Sequence, residues 1–193
     1  MNAARDIAAE DANAVAAWFG ARFDNLDPLL QALHRRDSEL SGPVILRFGR
    51  GVAGAFGRHM ALKLGMPVVS GEHHLNVKIH HDATTLDWHR CFDGTHHLRS
   101  SFIPQGHWPA GHWIEKTGAL ELALTVDVIE GGWYWRVIAA RFRGVRVPLW
   151  LIPRSTAYKR IEEGAYRFHV AFSLPILGEV ICYSGVLEPS HHG

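Results

Sequence analysis

Two ionisable side chains fall on strand faces that ought to be apolar. Arg90 sits between Trp88 and Phe92 in an alternating run, and Glu115 shares its side with Trp113. A buried charge must be paired or fully hydrogen-bonded, since leaving it alone costs several kcal/mol. If the surrounding strands close into a barrel, Arg90 and Glu115 meet inside it. They then form either a structural ion pair or the polar anchor of an apolar pocket, where a ligand headgroup docks. Trp88, Trp113, Phe168 and Tyr183 are the candidate lining. The alternative is a small-molecule enzyme using Glu115 with Arg90. As a general acid Glu115 needs a pKa raised by burial, and Arg90 opposes that.

Other groupings are weighed against plainer readings. Asp87, His89 and Cys91 alternate along one strand and are zinc-compatible types, with His81 or His97 as neighbours. The opposite face carries Leu86, Trp88 and Phe92, so the Asp87 face reads as the wet one and no metal is expected. The 14 histidines include the doublets His73-His74, His80-His81, His96-His97 and His191-His192. They read as polar strand-surface residues, with the last pair in a tail. Gly49, Gly51 and Gly54 spell GxGxxG after a strand, and Glu72 lies where a ribose-binding acid would fall. No strand–helix–strand repeat follows, so the glycines read as a turn that lets a helix pack tightly, and no cofactor is expected. Val147–Pro153, VPLWLIP, reads as a buried apolar run. A pocket lid and a patch for a membrane or protein partner are its alternatives. No nucleophile elbow, zinc-protease helix or P-loop is present.

The elements that must position these residues are mostly strands. Apolar residues over 6–22 predict an amphipathic helix. Asp27-Pro28 caps and starts a helix over 29–36. Gly42-Pro43 predicts a turn, Val44–Phe48 a strand, and Val52, Phe56, Met60 and Leu64 a helix ended by Gly65 and Pro67. From Leu75 onward the period is two, most cleanly over Leu120–Val128. Strands are also predicted over 133–142 and 155–163. The hairpin Tyr166–Leu187 has Tyr166, Phe168, Val170, Phe172 and Leu174 on one face. The expected fold is therefore α+β and β-rich. It is a curved antiparallel sheet or barrel of eight to ten strands, with two or three helices near the N-terminus. One domain over 1–193 divides into N-terminal helices (1–36), a strand–helix segment (37–72) and the sheet or barrel (73–189).

Composition bounds the function. A net charge of +1 argues against an electrostatic nucleic-acid binder. No run reaches the roughly 20 apolar residues of a membrane span. The two cysteines, Cys91 and Cys182, form no framework of spacings, and the first residues lack a signal-peptide core. The expected location is cytoplasmic. The expected partner is an apolar or amphipathic small molecule.

Several motifs carry a family resemblance. They are FDNLDPLLQALH from Phe23, the piece ending Gly65-Met66-Pro67, WHRCF from Trp88, and FHVAFSLPILGEVICYSGVLEP from Phe168. Nearly the whole chain after Phe23 resembles a bacterial domain-of-unknown-function family (DUF4166), found alone or C-terminal to saccharopine-dehydrogenase-like or other NAD(P)-binding modules. The resemblance implies that the glycine-rich segment belongs to this domain, and that an oxidoreductase is a partner. It implies no catalytic role for any residue.

Overall fold

The unbroken period of two along most of the chain builds one antiparallel sheet that closes on itself. In the computed structural model, which describes residues 13–190, the chain order is α1 (Ala14–Phe19), a 3-10 turn (Gly20–Asn25), α2 (Pro28–Arg35), β1 (Ser38–Phe48) and α3 (Gly51–Lys63). The strands β2 (Gly71–His81), β3 (Leu86–Phe92), β4 (His96–Gln105), β5 (His112–Thr117), β6 (Leu120–Ile129) and β7 (Gly132–Phe142) follow. The short β8 (Val145–Val147), β9 (Arg154–Glu162), β10 (Ala165–Leu174) and β11 (Gly178–Pro189) complete it. Each strand pairs with its sequence neighbour, except that β7 pairs with β9 while β8 hangs on the end of β7. The pairing of β1 with β11 closes an up-and-down barrel of ten strands. The β-rich architecture expected from the sequence is the one observed.

Local chemistry fixes the turns. Glu130-Gly131, Arg143-Gly144 and Glu163-Gly164 are two-residue hairpin loops with positive φ at both positions. That is the type I′ geometry, whose twist matches the flanking strands.

The two barrel ends are finished differently. At the lower end, where β1 begins, α1 and α2 enter as a plug. Asn13 caps α1 by accepting from the Val15 and Ala16 N–H groups at 2.8 and 3.1 Å, and its amide donates to the His34 carbonyl of α2 at 2.7 Å. Asp27 caps α2 through the Leu29 N–H at 2.8 Å, with Pro28 at the first helical position. Backbone bonds at 2.9 Å tie the plug to three lower connections: Ala14 N–H to the Asp82 carbonyl, the Trp108 N–H to the Trp18 carbonyl, and Asp27 N–H to the Gly131 carbonyl. Trp18 and Phe19 thereby meet Trp113 and Trp133 in a buried aromatic layer, and Leu30 of α2 is buried in the same core. The expected helix over 6–22 thus ends as a helix at Phe19 and continues as a 3-10 turn; its residues before Asn13 lie outside the described residues, as do His191 and His192.

At the upper end α3 crosses from β1 to β2. The helix expected from the spacing of Val52, Phe56, Met60 and Leu64 is present; Met60 and Leu64 turn toward the interior, while Val52 and Phe56 are exposed. The face that packs is small, made of Ala53, Gly54, Gly57 and Ala61. A Cβ on Gly57 would stand 2.2 Å from the Val180 carbonyl oxygen of β11, so the helix backbone lies directly on the strand. Gly49 likewise abuts the Glu179 carbonyl of β11, and Gly54 packs on the Gly49 carbonyl at the helix entry. Gly57→Ala is expected to push α3 off β11 and cost about 1–3 kcal/mol, seen as a lower denaturant midpoint.

Gly42-Pro43 is the other correction. The pair lies inside β1 rather than in a turn. Pro43 has no N–H to give, and the ladder between β1 and β11 skips from Ser41 to Val44 without changing register.

Candidate functional site

Inward positions of nearly every strand, with Met60, Leu64 and Met66 from the α3 side, enclose a cavity of about 200 Å³. The wall is mainly apolar: Val77, Leu98, Phe102, Leu124, Phe168 and Leu187 belong to it. Alternation on β10 is responsible for one side, because Tyr166, Phe168, Val170 and Phe172 all point inward from one strand. The cavity is partly open, and the aromatic plug seals the lower end, so its access is from above. The wall is weakest there. β7 and β9 share only the pairs Trp133–Lys159, Tyr134–Tyr158 and Trp135–Ala157. Above Ala157 they part, as β7 turns to β8, and Ser155 at that seam lines the cavity.

A polar chain crosses this apolar space. Arg90, 9% exposed, donates to the Ser100 hydroxyl at 3.2 Å, Ser100 and Thr117 share a hydrogen bond at 3.0 Å, and Thr117 donates to Glu115 at 3.5 Å. Arg90 and Glu115 do come together inside the barrel, bridged by two hydroxyls. Burial pushes the Glu115 carboxyl above its usual range, against the opposing pull of Arg90, Ser100 and Thr117. Burial likewise raises Tyr166 and Tyr183, so both phenols stay neutral donors at ordinary pH.

Lower in the cavity stands Lys159, 2% exposed. Its Nζ lies 2.5 Å from His34 Nε2, 3.8 Å from the centre of the Trp133 ring and 4.7 Å from that of Trp88. Trp88 also carries the Arg90 guanidinium, 4.9 Å from its ring centre. Burial, then the charge of Arg90, holds the Lys159 amine well below its usual pKa. No carboxylate pairs with it among the described residues, and the Trp88 indole N–H, on the cavity wall, is likewise without a partner there.

Of the side chains singled out in the sequence, Trp88, Arg90, Glu115, Phe168 and Tyr183 surround the cavity. Trp113 lies beneath it, against Trp18 and Trp133 in the plug layer. Asp87, His89 and Cys91 are on the outer face, where Asp87 accepts from the Thr85 hydroxyl and His89 pairs with His97 at 3.1 Å. Val147–Pro153 is not buried: Leu149, Trp150 and Leu151 form an exposed 3-10 turn, Trp150 at 74% exposure. The run follows β8, which pairs only with the end of β7. Sequence reasoning passed over Lys159. The signal was present: in Ser155, Ala157, Lys159 and Ile161 the period of two places the lysine with the apolar residues.

Burial of His34, followed by the Lys159 charge, holds that imidazole well below its usual pKa, and the same causes bring His81 down to about 4. The folded protein keeps both neutral while the unfolded chain binds protons below about pH 6.5, so stability falls as pH drops through that window. Thermal unfolding is expected at a clearly lower temperature near pH 4.5 than near pH 7. The pH slope should flatten in His81→Gln.

These features define a hollow up-and-down β-barrel, plugged by helices below and polar at mid-depth. The chain belongs to the family described as Domain of unknown function (DUF4166), which matches residues 26–187. That span takes in every barrel strand except the last residues of β11. No curated protein and no solved structure is similar enough to this chain to count as a match.

Proposed function

We propose that the barrel interior binds one small amphipathic molecule with an anionic head. The observation that carries this reading is a buried basic pair in an apolar cavity with no carboxylate in direct contact. The Arg90 guanidinium and the Lys159 amine, which burial and Arg90 hold well below its usual pKa, both stand over Trp88, and Arg90 reaches Glu115 only through two hydroxyls. A bound carboxylate or similar group pairs Arg90 directly and favours the charged form of Lys159. Trp88 N–H, Tyr166 and Tyr183 add neutral donors to the same region. With the head at that depth, the tail runs up the wall toward Val170, Phe172, Met60 and Leu64.

Size narrows the ligand. About 200 Å³ is below the roughly 300–1,000 Å³ of pockets that hold drug-sized molecules. A single, medium-length chain fits better than a two-chain lipid.

Calorimetry with decanoate and with decylamine tests the reading. One decanoate per chain should bind, with a heat that varies with the buffer's ionisation enthalpy because Lys159 takes up a proton as the anion arrives. Decylamine, of the same length and opposite charge, should bind far more weakly. Equal affinity for the two would remove the anionic head from the account; no binding of either would remove the ligand.

A further inference from the structure

The exposed apolar side chains are not scattered. Of the 15 large ones among the described residues, all but Ile45, Ile129 and Ile138 sit at the upper end, on its connections or the strand ends beside them. Val52, Phe56 and Leu62 project from the outer side of α3. Leu149, Trp150 and Leu151 form the 3-10 turn after β8, and Ile176 and Leu177 tip the β10–β11 hairpin. A soluble surface rarely gathers so much apolar area in one place without a partner for it.

Charge identifies that partner. Residues 49–69, which contain α3, carry Arg50, Arg58 and Lys63 and no Asp or Glu. Residues 141–154, which contain the 3-10 turn, carry Arg141, Arg143, Arg146 and Arg154 and again no acid. The chain as a whole has 20 Lys and Arg against 19 Asp and Glu, so seven cations in two short acid-free stretches are a segregation, not an average, although Arg141 has Glu121 as its cross-strand neighbour. The acids nearest this end, Glu72, Asp93, Glu121 and Glu179, lie outside both stretches, and Asp93 is engaged by His73 at 2.6 Å. All seven cations are exposed. An apolar tip with arginines around it, and a largely exposed tryptophan within it, matches an anionic lipid surface: the side chains enter the headgroup boundary and the guanidinium groups meet the phosphates.

We infer that the upper end of the barrel docks on anionic membranes, which sets the cavity's access directly over the lipid. The docking surface uses none of the interior residues, so it stands or falls separately from the proposed ligand site.

Co-sedimentation with vesicles tests it. Vesicles of phosphatidylcholine containing about a third phosphatidylglycerol should capture the protein, and vesicles of phosphatidylcholine alone should not. Capture should be lost at high salt. Trp150→Ser with Leu151→Ser, and separately Arg143→Glu with Arg146→Glu, should each weaken it at least about tenfold. All four side chains are exposed, so unchanged unfolding temperatures confirm intact folds. Arg90→Met should bind vesicles like the native protein, which separates this surface from the interior site. Absence of capture, or capture indifferent to either double variant or to the anionic lipid, overturns the inference. So does a dimer in sedimentation velocity that requires Trp150, since a second copy would then cover the patch.

Discussion

Arg90→Met is expected to weaken decanoate binding by about 30-fold or more, because truncating one partner of a buried charge pair costs roughly 2–5 kcal/mol. The methionine keeps most of the buried volume and the contact with Trp88, so the loss reports charge and hydrogen bonding rather than a hole in the wall. Lys159→Met should weaken binding too and should abolish the proton uptake, since the amine that takes the proton is gone. Decanol, with the same chain and no charge, supplies the control. Its affinity should change little in either variant. Glu115→Gln should leave decanoate affinity unchanged or improve it, because the carboxyl competes with the ligand for Arg90. An enzyme using Glu115 as its acid or base would lose turnover in that variant without losing stability. Such a result would move the account from carriage to catalysis.

The largest stability effect belongs to Trp133→Ala, expected to cost about 3–5 kcal/mol. Trp133 is fully buried where the plug meets the barrel. Its ring stands edge-on to Phe19 at 5.1 Å, packs on Trp135 at 5.0 Å and lies under the Lys159 amine. Alanine leaves a hole that neither a rigid sheet nor a two-helix plug pinned by three backbone bonds can close. Urea unfolding measures the loss as a lower midpoint. Lys159→Met makes an instructive contrast, since it replaces a buried amine that has no carboxylate partner with an apolar chain of similar length, and gives up the bond to His34. Its cost should be lower, about 1–3 kcal/mol. The native protein binds fewer protons at this lysine than the unfolded chain does, so native stability gains with rising pH from the lowered lysine pKa up to its ordinary value, about 10.4. Lys159→Met should lose that gain.

The barrel was legible because alternation is a direct imprint of strands with one face in a core. The run Tyr166, Phe168, Val170, Phe172 is the plainest instance, and all four line the cavity. Arg90 and Glu115 were legible for the same reason, as charges on an inward face. Other features escaped. α3 was legible as a helix and its glycines as a means of close packing, but spacing alone did not show that Val52 and Phe56 face outward while Met60 and Leu64 line the cavity. VPLWLIP reads as core from its composition, but exposure is decided by topology, and the run lies in the connection between the short β8 and β9 at the upper end. Lys159 was hidden by its own charge, which suggests solvent, although the alternation around it points inward. No local pattern reveals that α1 and α2 close one end, since that contact joins residues far apart in the chain.

Native mass spectrometry of the protein as purified, before and after extraction with organic solvent, tests the central claim most directly. The account predicts a population carrying one bound anionic amphiphile per chain, removed by extraction and restored as a one-to-one complex when decanoate is added. A bare chain mass before extraction, together with no complex on adding decanoate, would contradict it.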